Sequence, residues 1–154
     1  MEDTTPALHL AESLVAALKS TPSATTPSTH LPLLRLADKI RAALTTPYDL
    51  MNRHIEDLSL AGAMETLVTT GAVQKVPPQG SITASSLAAA TNLHPSAIQR
   101  LMRMALCNGI FTETAPDTYA HNSFSTVYLP SVLGDMFLLA MQQQAHTTPS
   151  LPLA

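Results

Sequence analysis

Apolar residues recur along this chain at helical spacing, and short interruptions divide the recurrence into elements. Residues 7–20 place Leu8, Leu14, Val15 and Leu18 on the turns of an amphipathic helix. TPSATTPSTHLP follows, with three prolines among threonine and serine. Proline removes backbone donors and restricts the residue before it, so this stretch reads as a linker. A second helix is expected over 33–45, with Leu33, Leu36, Ile40 and Leu44 on one face. Thr46 and Pro47 suit the cap and first position of a third helix. Its periodic positions are Leu50, His54 and Leu58, then Leu60, Met64, Leu67 and Val68, and Gly71 is placed to end it. VQKVPPQGS reads as a loop.

The period then changes. Ile82 reads as one strand residue, and Thr83 caps the short helix ASSLAAAT, with Leu87 and Ala88 inward. Thr91-Asn92 breaks that helix, and Leu93 ties it to the next, which opens at Pro95 and runs to about Cys107. Its inner face is Ile98, Leu101, Met102 and Ala105, and Gly109 ends it. Ile110–Thr112 reads as a strand, residues 114–118 as a turn, and Tyr119-Ala120 as the start of the returning strand. Asn122 or Ser123 caps the following stretch, and Pro130 opens a last helix with Val132, Met136, Leu139 and Met141 on its turns. The expected fold is mainly α: a winged helix-turn-helix with a small β-hairpin wing and extra N- and C-terminal helices. The expected division is 1–32 (helix and Pro/Thr-rich linker), 33–146 (winged-helix domain) and 147–154 (tail).

Composition changes this picture in one respect. Charged residues make up 12% of the 154, about half the usual share. A hydrophobic fraction of 45% with no tryptophan implies a core of Leu, Ala, Met, Val and Ile. So little charge leaves two readings: apolar area that faces another chain, or a Thr/Ser surface that stays soluble without charge. The linker leaves a similar pair, since the first helix either docks on a second copy or folds back on its own chain. The net charge of −3 offers no general attraction to phosphate backbones or acidic membranes. No basic leader precedes an apolar run and no window reaches the length of a membrane span, so a cytoplasmic location without membrane attachment is expected.

The candidate chemistry is thin. A DNA reader would insert helix 95–107 into the major groove, with Arg100 and Arg103, and with Gln99 and Asn108 as base-edge donors. Two arginines are few, and the wing carries Glu113 and Asp117, which oppose phosphate, so no nucleic-acid partner is expected. His9, His30, His54, His94, His121 and His146 form no HxxxH pair, and no GxSxG holds a serine. His94 reads as a turn or cap residue, and Cys107 as a small buried hydrophobe rather than a nucleophile. Met64, Met102 and Met104 read as core. The five glycines are too far apart for a GxG turn, so no cofactor, metal or catalytic residue is expected in this chain.

LAGAMETLVTTGAV followed by ITASSLAAATNLHPSAIQRLMRMALCNGIFTETAPDTYAHNSFSTVYL resembles the N-terminal dimerisation domain of plant and fungal small-molecule O-methyltransferases. The resemblance rests on the helix ending at Gly71, on Ile82, Thr83, Leu87 and Ala88, and on Arg100–Arg103. The run Asn108–Glu113 and then Tyr119–Asn122 with Ser125 completes it. It covers roughly 47–146. It implies an intertwined homodimer, or pairing with a methyltransferase-like partner, that covers the small-molecule acceptor site of a following S-adenosylmethionine-binding domain. That second domain carries the general base and is not encoded here, so the chain is not expected to be catalytic on its own. The resemblance makes Met136, Phe137 and Met141 of the last helix candidate acceptor contacts. A stand-alone interaction module, and less so a winged-helix DNA-binding protein, are the other functions left open.

Overall fold

The computed structural model describes residues 4–21 and 26–147, so the tail assigned to 147–154 lies outside it from residue 148 onward. The chain divides into two compact units, with the division between His54 and Ile55.

In the first unit, α1 (Thr5–Ser20) packs on α2 (Pro27–Leu44), burying Ala7 and Leu33. The linker expected to run to Pro32 is shorter than that. Thr26 caps α2 in an extended conformation, and Pro27 occupies its first position, where a missing N–H costs nothing. Pro32 lies inside the helix. It forgoes one hydrogen bond, which the packing of a long helix tolerates. Most other apolar positions here stay open, with Leu8, Val15, Leu18, Leu31, Leu34 and Leu44 all exposed.

Helix α3 (Pro47–Thr69) starts on a reciprocal cap. The Asp49 amide donates to Thr46 Oγ1 at 3.2 Å, while the Asp49 carboxylate accepts from the Thr46 amide at 3.0 Å and hydroxyl at 2.7 Å. The hydroxyl bond first, then the amide bond, hold the Asp49 carboxyl below its usual range. The expected inner face of α3 divides along its length. Met64, Leu67 and Val68 are buried, whereas Leu50 and Leu58 are exposed, Leu58 by 73%.

The second unit is the winged helix-turn-helix. Gly71 takes a left-handed φ of 75° and both ends α3 and starts α4 (Ala72–Lys75), a short helix where a loop was expected. Val73 and Val76 on this turn are fully buried, which is why it coils. β1 (Ile82–Thr83) leads into α5 (Ala84–Thr91), capped by Thr83 Oγ1 accepting from the Ser86 amide. Asn92, left-handed at φ 56°, ends α5, and the Leu93 amide returns to the Ala88 carbonyl. α6 (Pro95–Cys107) is capped by His94, as expected, and ends the same way. Gly109 is left-handed at φ 71°, and the Ile110 amide closes on the Ala105 carbonyl at 2.9 Å.

That closure corrects the first wing strand. Ile110 and Phe111 are not strand but turn into the core, and β2 begins at Thr112 (Thr112–Ala115). A two-residue turn, Pro116-Asp117, leads to β3 (Thr118–Ala120). The sheet is antiparallel in the order β1-β3-β2, with Ile82 opposite Tyr119, Glu113 opposite Tyr119 on the other side, and an irregularity between Glu113 and Ala115. The core gathers Met64, Leu67, Val73, Leu87, Ile98, Met102, Phe111 and Tyr119. A 3-10 turn (Ser125–Tyr128) then delivers α7 (Val132–Thr147).

Candidate functional site

Four places in the fold bring chemistry-bearing side chains together. The first is the face of α6 that a DNA reader would use. Gln99 donates from Nε2 to the Asp117 carboxylate at 2.9 Å, so its amide is spent on the wing. Asp117 is left-handed at φ 54°. Its amide donates to Glu113 Oε1 at 2.8 Å, and its carbonyl accepts from the Ala84 amide at 2.8 Å. The Tyr119 hydroxyl reaches the same carboxylate at 3.4 Å. Burial, then the negative charge of Asp117, push the Tyr119 hydroxyl up to about 12. Arg103, Cys107 and Glu113 line a shallow hollow of about 290 Å³ beside this knot. Cys107 is exposed, against the expectation of a buried hydrophobe. It lies two residues beyond buried Ala105, which on a helix is about 200° around and so faces away from the core.

The second place is a groove of about 430 Å³ between α3 and α6, walled by Ser59, Ala63, Thr66, Ala97 and Met104, with Arg100 at its edge. Met104 therefore lines a surface groove, while Met64 and Met102 are buried in the core. Arg100 borders a cleft whose walls combine small residues with Leu93, Leu101 and Met104.

The third place joins the wing to α7. Asn122 Oδ1 accepts from the amides of Phe124 and Ser125, both at 3.0 Å, and its Nδ2 donates to the Gly109 carbonyl at 2.8 Å. His121 Nδ1 meets Ser125 Oγ at 2.9 Å, and its ring lies 5.5 Å from that of Phe111. Burial lowers the His121 pKa, and the backbone at Val76 and Val73 pulls it part of the way back. No distance or periodicity in the sequence marks this pair. The signals were the asparagine cap and the place of His121 and Ser125 in the run that carries the family resemblance.

The fourth is α7. Phe137 packs edge-on against Tyr128 at 5.1 Å and sits on the rim of the core. Met141 is half-buried one turn further on, and Met136 is 60% exposed on the adjoining face. The three are thus split: Phe137 and Met141 share a face, and Met136 points elsewhere. Gly134 is buried against the preceding turn, where a Cβ would come within 2.5 Å of the Leu129 carbonyl oxygen. Among the described residues no three His, Cys, Asp or Glu side chains gather as a metal site, and no helix is long and apolar enough to cross a membrane.

This arrangement holds helices, a tied-down wing and open apolar faces. The family description "O-methyltransferase dimerisation domain" matches residues 49–131. The chain belongs to the O-methyltransferase dimerisation-domain family. O-methyltransferase FrzF of Cladobotryum sp is 33% identical over 89 residues, 56% of this chain and 21% of that protein. O-methyltransferase OME1 of Pyricularia oryzae is 32% identical over 101 residues, 64% of this chain and 20% of that protein. The chain thus spans about a fifth of these relatives' length.

Solved structures agree. OxaC in complex with sinefungin and meleagrin superposes with a TM-score of 0.76 at 25% identity, over 89% of this chain and 35% of OxaC. The mitomycin 7-O-methyltransferase MmcR superposes with a TM-score of 0.56 at 27% identity, over 69% of this chain and 34% of MmcR. Another OxaC structure holds SAH and oxaline. A dimerisation domain implies self-association, and the mainly helical winged-helix fold expected for the family is the one observed.

Proposed function

We propose that this chain is the dimerisation and substrate-lid region of an S-adenosylmethionine-dependent O-methyltransferase of secondary metabolism, acting with a separately encoded or following cofactor-binding domain. The observation that carries the reading is the set of exposed apolar side chains within a family defined by dimerisation. Leu8, Leu31, Ile55, Leu58, Leu133 and Leu139 are each 48% or more exposed. A soluble monomer gains nothing from such a set, whereas a second copy of the chain covers it, at about 1.5–3 kcal/mol for each large side chain fully buried. The reaction of the parent enzyme is methyl transfer to a hydroxyl of a phenol- or polyketide-like acceptor. In that setting Phe137 and Met141, on one face of α7, and Met136 on the adjoining face contact the acceptor, and the winged-helix region up to residue 146 forms the pairing domain. Catalysis and the methyl donor belong to the cofactor domain. The O-methyltransferase relatives, and the meleagrin held by OxaC, support a small-molecule acceptor.

Light scattering coupled to size exclusion tests the pairing. A homodimer is expected at micromolar concentration, and Leu58→Glu shifts it to monomer without unfolding it, since Leu58 is 73% exposed. A wild-type chain that stays monomeric at that concentration refutes the proposal. Calorimetry with S-adenosylmethionine is expected to show no binding to the isolated chain, and a saturable site would place the cofactor in the wrong region.

A further inference from the structure

We propose that His121 and Ser125 form a proton-operated latch on the segment that joins the wing to the last helix. Ser125 is 0% exposed, and its single hydroxyl proton has two acceptors. One is His121 Nδ1 at 2.9 Å, and the other is the Asn122 carbonyl at 3.0 Å, while the Asn122 amide donates to the same oxygen at 2.8 Å. With the imidazole neutral, the hydroxyl donates to Nδ1 and the ring proton sits on Nε2. That nitrogen is buried, faces the backbone of Val73 and Val76, and makes no regular hydrogen bond among the described residues.

When the ring takes a second proton, Nδ1 becomes a donor and can only donate to Ser125 Oγ. The hydroxyl then turns to the Asn122 carbonyl, so no hydrogen bond at Nδ1 is lost. The charge, however, now lies against Phe111 and the buried α4 turn, where desolvation disfavours it. No neighbouring charge compensates. α4 brings Lys75, which is exposed, and β2 brings Glu113, which is bound to the Asp117 amide. β3 brings Tyr119, whose hydroxyl is at Asp117. Arg103 of α6 lies in the hollow beside the wing, and Tyr128 of the 3-10 turn packs on Phe137.

The state that relieves the charge is one in which the 3-10 turn opens and the ring reaches water. Because α7 follows this turn directly, opening frees the start of α7 from the wing. The closed form binds fewer protons than the open one, so the latch is fully closed above the ordinary histidine value of 6.5 and loosens as pH falls through the depressed value.

Long-range proton–nitrogen NMR of the 154-residue chain, with hydrogen exchange, tests the latch. The neutral tautomer is expected to carry its proton on Nε2, and His121 is expected to titrate below 6.5. Protection of the Val127 and Leu129 amides, corrected for intrinsic exchange, is expected to fall by up to about tenfold from about pH 7.5 to about 5.5, while that of Met102 in α6 holds. In His121→Gln this pH dependence is expected to vanish. Titration at or above 6.5, or equal loss of protection at Met102, overturns the latch. The wild-type titration decides even if the variant fails to fold.

Discussion

Asp117→Ala is the substitution with the most to lose in this fold. The carboxylate accepts from Gln99 Nε2 at 2.9 Å and more weakly from the Tyr119 hydroxyl at 3.4 Å. A hydrogen bond to a charged acceptor contributes about 1.5–3 kcal/mol, and the half-exposed position of Asp117 puts this one at the low end. Alanine must also hold the left-handed φ of 54°, at about 1–2 kcal/mol. The expected loss is therefore about 2.5–3.5 kcal/mol, read as a lower urea midpoint at unchanged slope.

Asp117→Asn separates these contributions. It tolerates the left-handed backbone and keeps an oxygen for Gln99, so it is expected to cost about 1 kcal/mol or less. Both variants remove the negative charge beside Tyr119. The hydroxyl of this buried residue should then titrate below about 12 yet above its ordinary value of 10.0, because burial remains the first cause of its shift. A pKa raised in the fold means stability that is fully present below 10.0 and lost as pH rises through about 12. With the charge of Asp117 gone, less of that stability is tied to the protonated tyrosine, so alkaline unfolding of both variants should be shallower. Tyrosinate absorbance against pH, with urea curves at neutral pH, measures all of this. If both variants lose less than about 0.5 kcal/mol, or if the tyrosine titration does not move, Asp117 does not hold the wing to α6.

The remaining expectations concern the C-terminal helix and the cysteine. Gly134→Ala places a Cβ 2.5 Å from the Leu129 carbonyl, so a loss of about 1–3 kcal/mol is expected, and an unchanged urea midpoint would show that α7 does not pack as described. Cys107 should react with a thiol reagent in native buffer as fast as in denaturant, since it is exposed, and slow, unfolding-limited labelling would place it inside.

Local chemistry decided most of the winged helix without help from the rest of the chain. Thr46 with Asp49, Thr83, His94 with Pro95, Asn92 and Gly109 act within a few residues of themselves, and so each marked its boundary in the sequence. The helix-turn-helix order and the inward positions Leu87, Ile98 and Met102 followed from them, whereas the family was legible only as a resemblance of the whole motif run. What tertiary structure alone decided is where periodicity stops meaning burial. Leu50 and Leu58 follow the same helical period as Met64 and Leu67 on one helix, but only the second pair meets a core, because only there do α4, α5 and α6 supply partners. The same holds for Ile110 and Phe111, which have strand propensity but are drawn inward by the closure at Gly109, and for Ala72–Lys75, whose coil follows from burying Val73 and Val76. Gln99 with Asp117 lie eighteen positions apart, and His121 with Ser125 depend on a 3-10 turn with no periodic signature. Periodicity records which face of an element is apolar. Which apolar face is covered, and which polar groups meet, depends on what the rest of the fold brings opposite it.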